Sequence, residues 1–198
     1  DLREKVRQSA DPLLTAARVA VAANAIDMGT AVALTETDIR AALRGLPAEE
    51  THGDWTKFLE AAARASNILY LADNAGEIAV DRLVIEVLGP ARVTVAVRGA
   101  PILNDATMDD AMYVGMHDYV RVIDNGSDAP GTRLDDCSAE FRKKFDCADL
   151  IISKGLGNFE TLSGTRDNIA FWFKVKCPVV AHHIGLPVGT LALLPPGD

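Results

Sequence analysis

Asp73, Asn74 and Glu77 stand in the stretch YLADNAGEIAVDRLVIEVLG, residues 70 to 89, where a run that reads as a buried strand gives way to one that reads as a helix. A fold needs only a short turn there, and three polar side chains are more than a turn requires. Similar groups recur downstream: Arg98, Asn104 and Asp105 in RGAPILNDAT, Asp124 and Asn125 in IDNGSDAPGT, and Lys154, Gly155, Gly157 and Asn158 in SKGLGNFE. Asp73, Asn74 and Asp105 offer hard oxygen donors with no His or Cys cluster beside them, a set suited to Mg²⁺ or Mn²⁺ with positions left for water and substrate. Arg98 and Lys154 would bind an anion. A Gly-rich turn over 155 to 158, opening a helix, lets backbone N–H groups approach a phosphate. A metal, a cationic pair and such N–H groups together describe phosphoryl chemistry, in which the metal polarises a phosphoryl oxygen and cations stabilise the developing charge.

The elements that must position these residues follow from the pattern around them. Short apolar runs near 67 to 72, 92 to 97, 120 to 124 and 149 to 153 alternate with amphipathic segments and start about 25–30 residues apart, the length of a strand, helix and strand with a right-handed crossover. A parallel sheet covered on both faces is expected. In such sheets ligands bind beyond the carboxyl ends of the strands, where every group named above falls. The tail IAFWFKVKCPVVAHHIGLPVGTLALL adds a strand, a short helix from Pro178 and a closing strand near 190 to 194.

Residues 1 to 66 read as helical. Asp11-Pro12 is an N-cap and first-turn pair opening a helix that Gly29 ends, Thr35 and Asp38 resemble a capping box for a short helix closed by Gly45, and DWTKFLEAAARA gives a helix over 54 to 65. Asn24 and Asp27 lie one turn apart on the first of these. A helix aimed at the cleft explains them, and so does a polar surface stripe.

Plainer readings stand beside these. An Asp-Asn pair after a strand often serves only as a turn or cap, SKGLGNFE is not a Walker loop because its Lys precedes the glycines, and Glu77 in a first helical turn complements the helix dipole. His182 and His183 are adjacent on a short helix and face different directions, so they do not share a metal.

Composition sets the outer bounds. The 198 residues, 48% hydrophobic and 24% charged, suit a soluble α/β fold with a sizeable core. A formal net charge of −8 and no Lys/Arg cluster argue against a nucleic-acid partner. No apolar run approaches membrane-spanning length, and Cys137, Cys147 and Cys177 form no C-x-x-C pair, so no membrane, disulfide framework or thiolate metal site is expected and a cytoplasmic location is. The chain starts at Asp1 without Met, and a fragment or processed chain is expected. Oligomeric state leaves no readable trace.

The motifs DNAGE, RGAPILNDAT, IDNGSDAPGT and SKGLGNFE, in this order and at these intervals, resemble the damage-control phosphatase family of metal-dependent proteins, over residues 67 to 194 with a weaker echo in AANAIDMG. The resemblance implies a three-layer α/β/α Rossmann-like domain over 67–198 beside a small, truncated helical region over 1–66. It also implies hydrolysis of small phosphorylated metabolites, such as sugar phosphates and damaged cofactor precursors, with Mn²⁺, Co²⁺, Ni²⁺ or Mg²⁺. Carried over by motif, Asp73, Asn74 and Asp105 would hold the metal, and Lys154, Gly155, Gly157 and Asn158 the phosphate. Asp73, Asp105 and Lys154 are therefore the expected catalytic residues, with Arg98, Asn24, Asp27, Glu77 and Asn104 contacting substrate or water. Metal-assisted water attack is favoured over Asp73 as nucleophile. Prokaryotic relatives tend to carry an amino-terminal Cys-x-x-Cys that this chain lacks. The alternatives are a carboxyl methyltransferase using S-adenosylmethionine, weakened by the lack of a G-x-G loop after the first strand, and a module that binds metal and phosphometabolite without turnover.

Overall fold

The computed structural model describes residues 2–24 and 51–197. Two helices come first, α1 (Leu2–Gln8) and α2 (Pro12–Ala23); Asp11 caps α2 by accepting from the Leu14 N–H at 2.9 Å. A two-residue strand β1 (Thr51–His52) and α3 (Trp55–Arg64), capped by Asp54, follow. Then come β2 (Ile68–Leu71), α4 (Ile78–Leu88), β3 (Val93–Val97), α5 (Met108–Tyr113), β4 (Arg121–Asp124), α6 (Ala139–Cys147), β5 (Leu150–Lys154), α7 (Leu156–Leu162), β6 (Ile169–Lys174), α8 (Pro178–Ile184) and β7 (Leu191–Leu194).

The strands form one sheet in the order β1-β7-β6-β5-β2-β3-β4, parallel throughout except for the antiparallel pair β6 and β7. Its central strands are buried on both faces, which is why they read as unbroken apolar runs. Successive side chains alternate between two cores: Ile68 and Tyr70 join the first, with α2 and α4, while Leu69 and Leu71 join the second, with Phe141, Phe145 and Phe159. In the first core Trp172 meets Phe58 and Tyr70 edge-on, with centroids 5.0 and 6.3 Å away. The four strands expected between 67 and 153 and the strand, helix and strand of the tail are all present. β1 went unread because two residues carry no periodicity.

From β2 the chain winds outward through β3 and β4, then returns to place β5 on the other side of β2 and continues to β6. The order reverses between β2 and β5, and a crevice opens at such a point. α2 buries seven small residues, Ala16, Ala17, Val19, Ala20, Val21, Ala22 and Ala23, and lies against α4. Small side chains allow the close approach that brings its end, Asn24, to the crevice. Asp27, Gly29 and the helix expected from Thr35 to Gly45 lie outside the described residues. Among the described residues no helix is long and apolar enough to cross a membrane.

Candidate active site

Backbone pairing joins the first two expected motifs. The loop after β3 folds back so that Asn74 and Asp105 form an antiparallel bridge, with Ala106 N–H donating to Asp73 O at 2.7 Å and Ala75 N–H to Asn104 O at 2.8 Å. Arg98 N–H donates to Ala106 O at 2.8 Å and closes the base of the loop. Asp73, Asn74, Asn104 and Asp105 thereby line one cleft of about 160 Å³, together with Asn24 and Gly157.

The carboxylates crowd there. Asn24 lends its amide group to two of them, with Nδ2 2.8 Å from Asp73 Oδ2 and 2.9 Å from Glu77 Oε2, while its Oδ1 accepts from Lys174 N–H at 3.3 Å. Asn74 Nδ2 donates to Asp73 Oδ2 at 3.0 Å. Burial pushes the Asp73 carboxyl up to about 7; the charges of Glu77 and Asp105 add to this, and the Asn24 bond and Lys154 oppose it. Gly155, with φ +84°, lies directly against this carboxylate: a Cβ there would come within 2.1 Å of Asp73 Cγ. Only glycine fits both the space and the backbone.

The two expected anion-binding cations face inward. Lys154 is fully buried and donates to Glu77 Oε1 at 3.2 Å and Asp81 Oδ1 at 2.8 Å; burial alone would lower its pKa, but Asp81 and Glu77 outweigh this and raise it. Asp81, also fully buried, accepts from Tyr70 Oη–H at 2.7 Å. Burial raises its carboxyl to about 6, against the pull of Lys154. Arg98 donates from Nε to Asp105 Oδ2 at 2.6 Å, from one terminal nitrogen to Thr132 Oγ1 at 3.2 Å and from the other to Asn158 Oδ1 at 3.1 Å. Asn158 in turn donates to Lys154 O at 2.7 Å. The Gly155 N–H is taken up by Trp172 O at 2.9 Å, so the phosphate-facing N–H groups expected over 155 to 158 are reduced by one.

Asp81, Tyr70 and Thr132 went unassigned in the sequence. Asp81 left a signal, since a carboxylate four residues after Glu77 sits on the apolar stripe of α4. Thr132 left none beyond lying in the third motif. Asn125 is structural: its Oδ1 accepts from the N–H groups of Gly99 and Ser127 at 3.0 Å each, an ordinary Asx turn.

The expected metal ligands in the cleft, Asp73, Asn74 and Asp105, are two carboxylates and a carboxamide. Among the described residues no group of three or more His, Cys, Asp or Glu is arranged as a metal site. The hard oxygens of Asp73, Asn74 and Asp105 nonetheless suit a divalent cation, whose charge would offset the burial and the neighbouring carboxylates that raise the Asp73 carboxyl. Three larger hollows among the described residues, about 1040 Å³ beside β1 and β7, about 640 Å³ at the amino ends of β2 to β4 and about 380 Å³ beside β4, contain none of the expected metal, phosphate or substrate residues. Convergent side chains mark the smaller cleft; volume does not.

Residues 1–191 match the family model of the damage-control phosphatase ARMT1-like domain. An uncharacterized protein of Methanocaldococcus jannaschii is 45% identical over 133 residues, covering 64% of this chain and 44% of that protein. Damage-control phosphatases of Pyrococcus horikoshii and Archaeoglobus fulgidus are 38% and 34% identical, over 90% and 96% of this chain and 63% and 67% of those proteins. The chain thus spans less than two thirds of the first two. The crystal structure of a DUF89 family protein from Pyrococcus horikoshii superimposes with a TM-score of 0.87 and 33% identity, over 98% of this chain and 70% of that one.

Proposed function

The chain belongs to the damage-control phosphatase ARMT1-like domain family, and on that footing we propose that its carboxyl-edge cleft hydrolyses small phosphomonoesters, sugar phosphates or damaged phosphorylated metabolites, with a divalent cation. The supporting observation is the convergence of Asp73, Asn74 and Asp105 at the strand-order reversal, with a glycine required at 155 to make room for the carboxylate.

In this reading Asp73, Asn74 and Asp105 hold the cation, which polarises the phosphoryl oxygen and favours attack by water. Mn²⁺, Co²⁺, Ni²⁺ and Mg²⁺ are the candidates. The protein's own groups then have separable tasks. Asn24 fixes the rotamers of Asp73 and Glu77 through one shared amide. Arg98 holds Asp105 in place by a short charge-assisted bond and is itself held by Thr132 and Asn158. Lys154 lies between Glu77 and Asp81 and donates to both, which fixes the two carboxylates relative to each other. Lys154 and Arg98 act in this scheme as positioning cations, one layer behind the phosphate. Glu77 and Asn104 are left to orient water or substrate.

The test is release of inorganic phosphate from a panel of sugar phosphates and an aryl phosphate, in EDTA and with each cation restored. Release that requires the added cation is expected. Release unaffected by EDTA removes the cation from the scheme, and no release under any cation removes hydrolysis.

A further inference from the structure

Leu103 is the one described residue other than glycine with a left-handed backbone, at φ +49°, and it is 81% exposed. Both features run against what folding favours. The left-handed region suits Gly or Asn and disfavours a bulky side chain, and a leucine in water contributes no burial. The backbone conformation has a cause: the next two residues are pinned to the end of β2, Asn104 through the Ala75 N–H and Asp105 through its bridge to Asn74. The side chain has no such cause within the described structure. It does have a location, because Leu103 lines the candidate cleft, as do Pro130 and Leu156. Three apolar side chains, Leu103, Pro130 and Leu156, thus line the same cleft as the carboxylates, the carboxamides and Lys176.

We propose that Leu103 is a specificity-determining residue. With Pro130 and Leu156 it packs against a hydrocarbon face on the alcohol portion of the ester, so the cleft prefers phosphomonoesters that present such a face beside the phosphate over fully hydrophilic ones. This rests on the phosphate lying at the carboxylates of the cleft, as in the function proposed above.

Calorimetric titration of the full chain in Mn²⁺ with methylphosphonate and phenylphosphonate tests it without turnover. Phenylphosphonate is expected to bind about tenfold more tightly. Leu103→Asn, which relieves the backbone and removes the apolar group, should melt no lower than wild type and lose most of that preference. Leu103→Met should keep it. Equal affinities in the wild type, binding of neither phosphonate, or a preference unchanged in Leu103→Asn would overturn the inference. Phosphate release from methyl phosphate and phenyl phosphate, measured on the same protein preparations, separates the two proposals. Release without a phenyl preference sinks the role of Leu103 and spares the phosphatase; a preference lost in Leu103→Asn without release from any ester does the reverse.

Discussion

The two edges of the parallel sheet both carry hollows and polar side chains, and they use those side chains in opposite ways. At the amino edge, side chains meet backbone. Arg92 donates to the carbonyls of Leu88, Ala62 and Ala65 at 2.6, 2.7 and 2.5 Å, Asp149 accepts from the N–H groups of Ser66 and Asn67 at 2.8 Å each, and Asn67 donates to Cys147 O at 2.8 Å. Each group is answered by a fixed dipole, and loops are fastened as a result. At the carboxyl edge charged side chains meet one another, and burial, with the charges of Glu77 and Asp105 adding to it, raises the Asp73 carboxyl to about 7. The amino hollow is about four times larger by volume, 640 against 160 Å³. Polar groups matched by backbone stabilise a fold; like charges held together and only partly offset by Arg98, Lys154 and Asn24 describe a place built for a ligand.

The largest expected effect tests the carboxyl edge directly. Asp73→Ala should lower phosphate release about 10⁴-fold, ~5.5 kcal/mol of transition-state stabilisation. Steady-state kinetics on a variant with unchanged circular dichroism measures it, and turnover within a factor of two of wild type would remove Asp73 from the reaction. Lys154→Met acts on the same edge through stability, because Asp81 and Glu77 would be left buried without their shared ammonium. A loss of about 3–5 kcal/mol is expected in urea unfolding. A loss below about 1 kcal/mol would mean that the cluster sheds its charge by protonation instead.

Asp73→Asn probes the crowding itself. The folded carboxyl is raised from 3.8 to about 7, so the folded chain holds this proton more tightly than the unfolded one. The group's contribution to stability is therefore fully present below 3.8 and is lost as pH rises to about 7. At pH 8 in EDTA the variant should be more stable than wild type by on the order of 2 kcal/mol, and at pH 4 the advantage should vanish. Thermal unfolding at the two pH values decides it, and an Asn variant less stable at pH 8 would show that the cluster is relaxed without a cation.

How far the sequence reached follows the same division. The strands were legible because burial on both faces forces continuous apolar runs, and the crevice was legible because polar residues interrupt those runs at one end only. The partners were not. That Lys154 turns inward to Asp81 depends on a helix crossing the sheet, a distance of 73 residues along the chain, and no local spacing encodes it. Asn24 reached the site for a similar reason: its Ala/Val-rich helix packs closely on α4, whereas the sequence left a surface stripe equally open. Leu103 was invisible because neither its exposure nor its backbone angle leaves a mark on composition.

The smallest expected effect sharpens the comparison from the other side. Arg92→Ala deletes three hydrogen bonds to carbonyls at the amino edge, but the side chain is only part-buried, so water can replace much of what is lost. A destabilisation of about 1 kcal/mol is expected, read as a lower urea midpoint at constant slope. Phosphate release should keep its kcat/KM, because Arg92 fastens α3 and α4 at the end of the sheet remote from the cleft. A tenfold fall in kcat/KM with the fold intact would mean that the amino edge sets the geometry of the carboxyl edge through the strands between them, and the two could no longer be treated as separate solutions to separate demands.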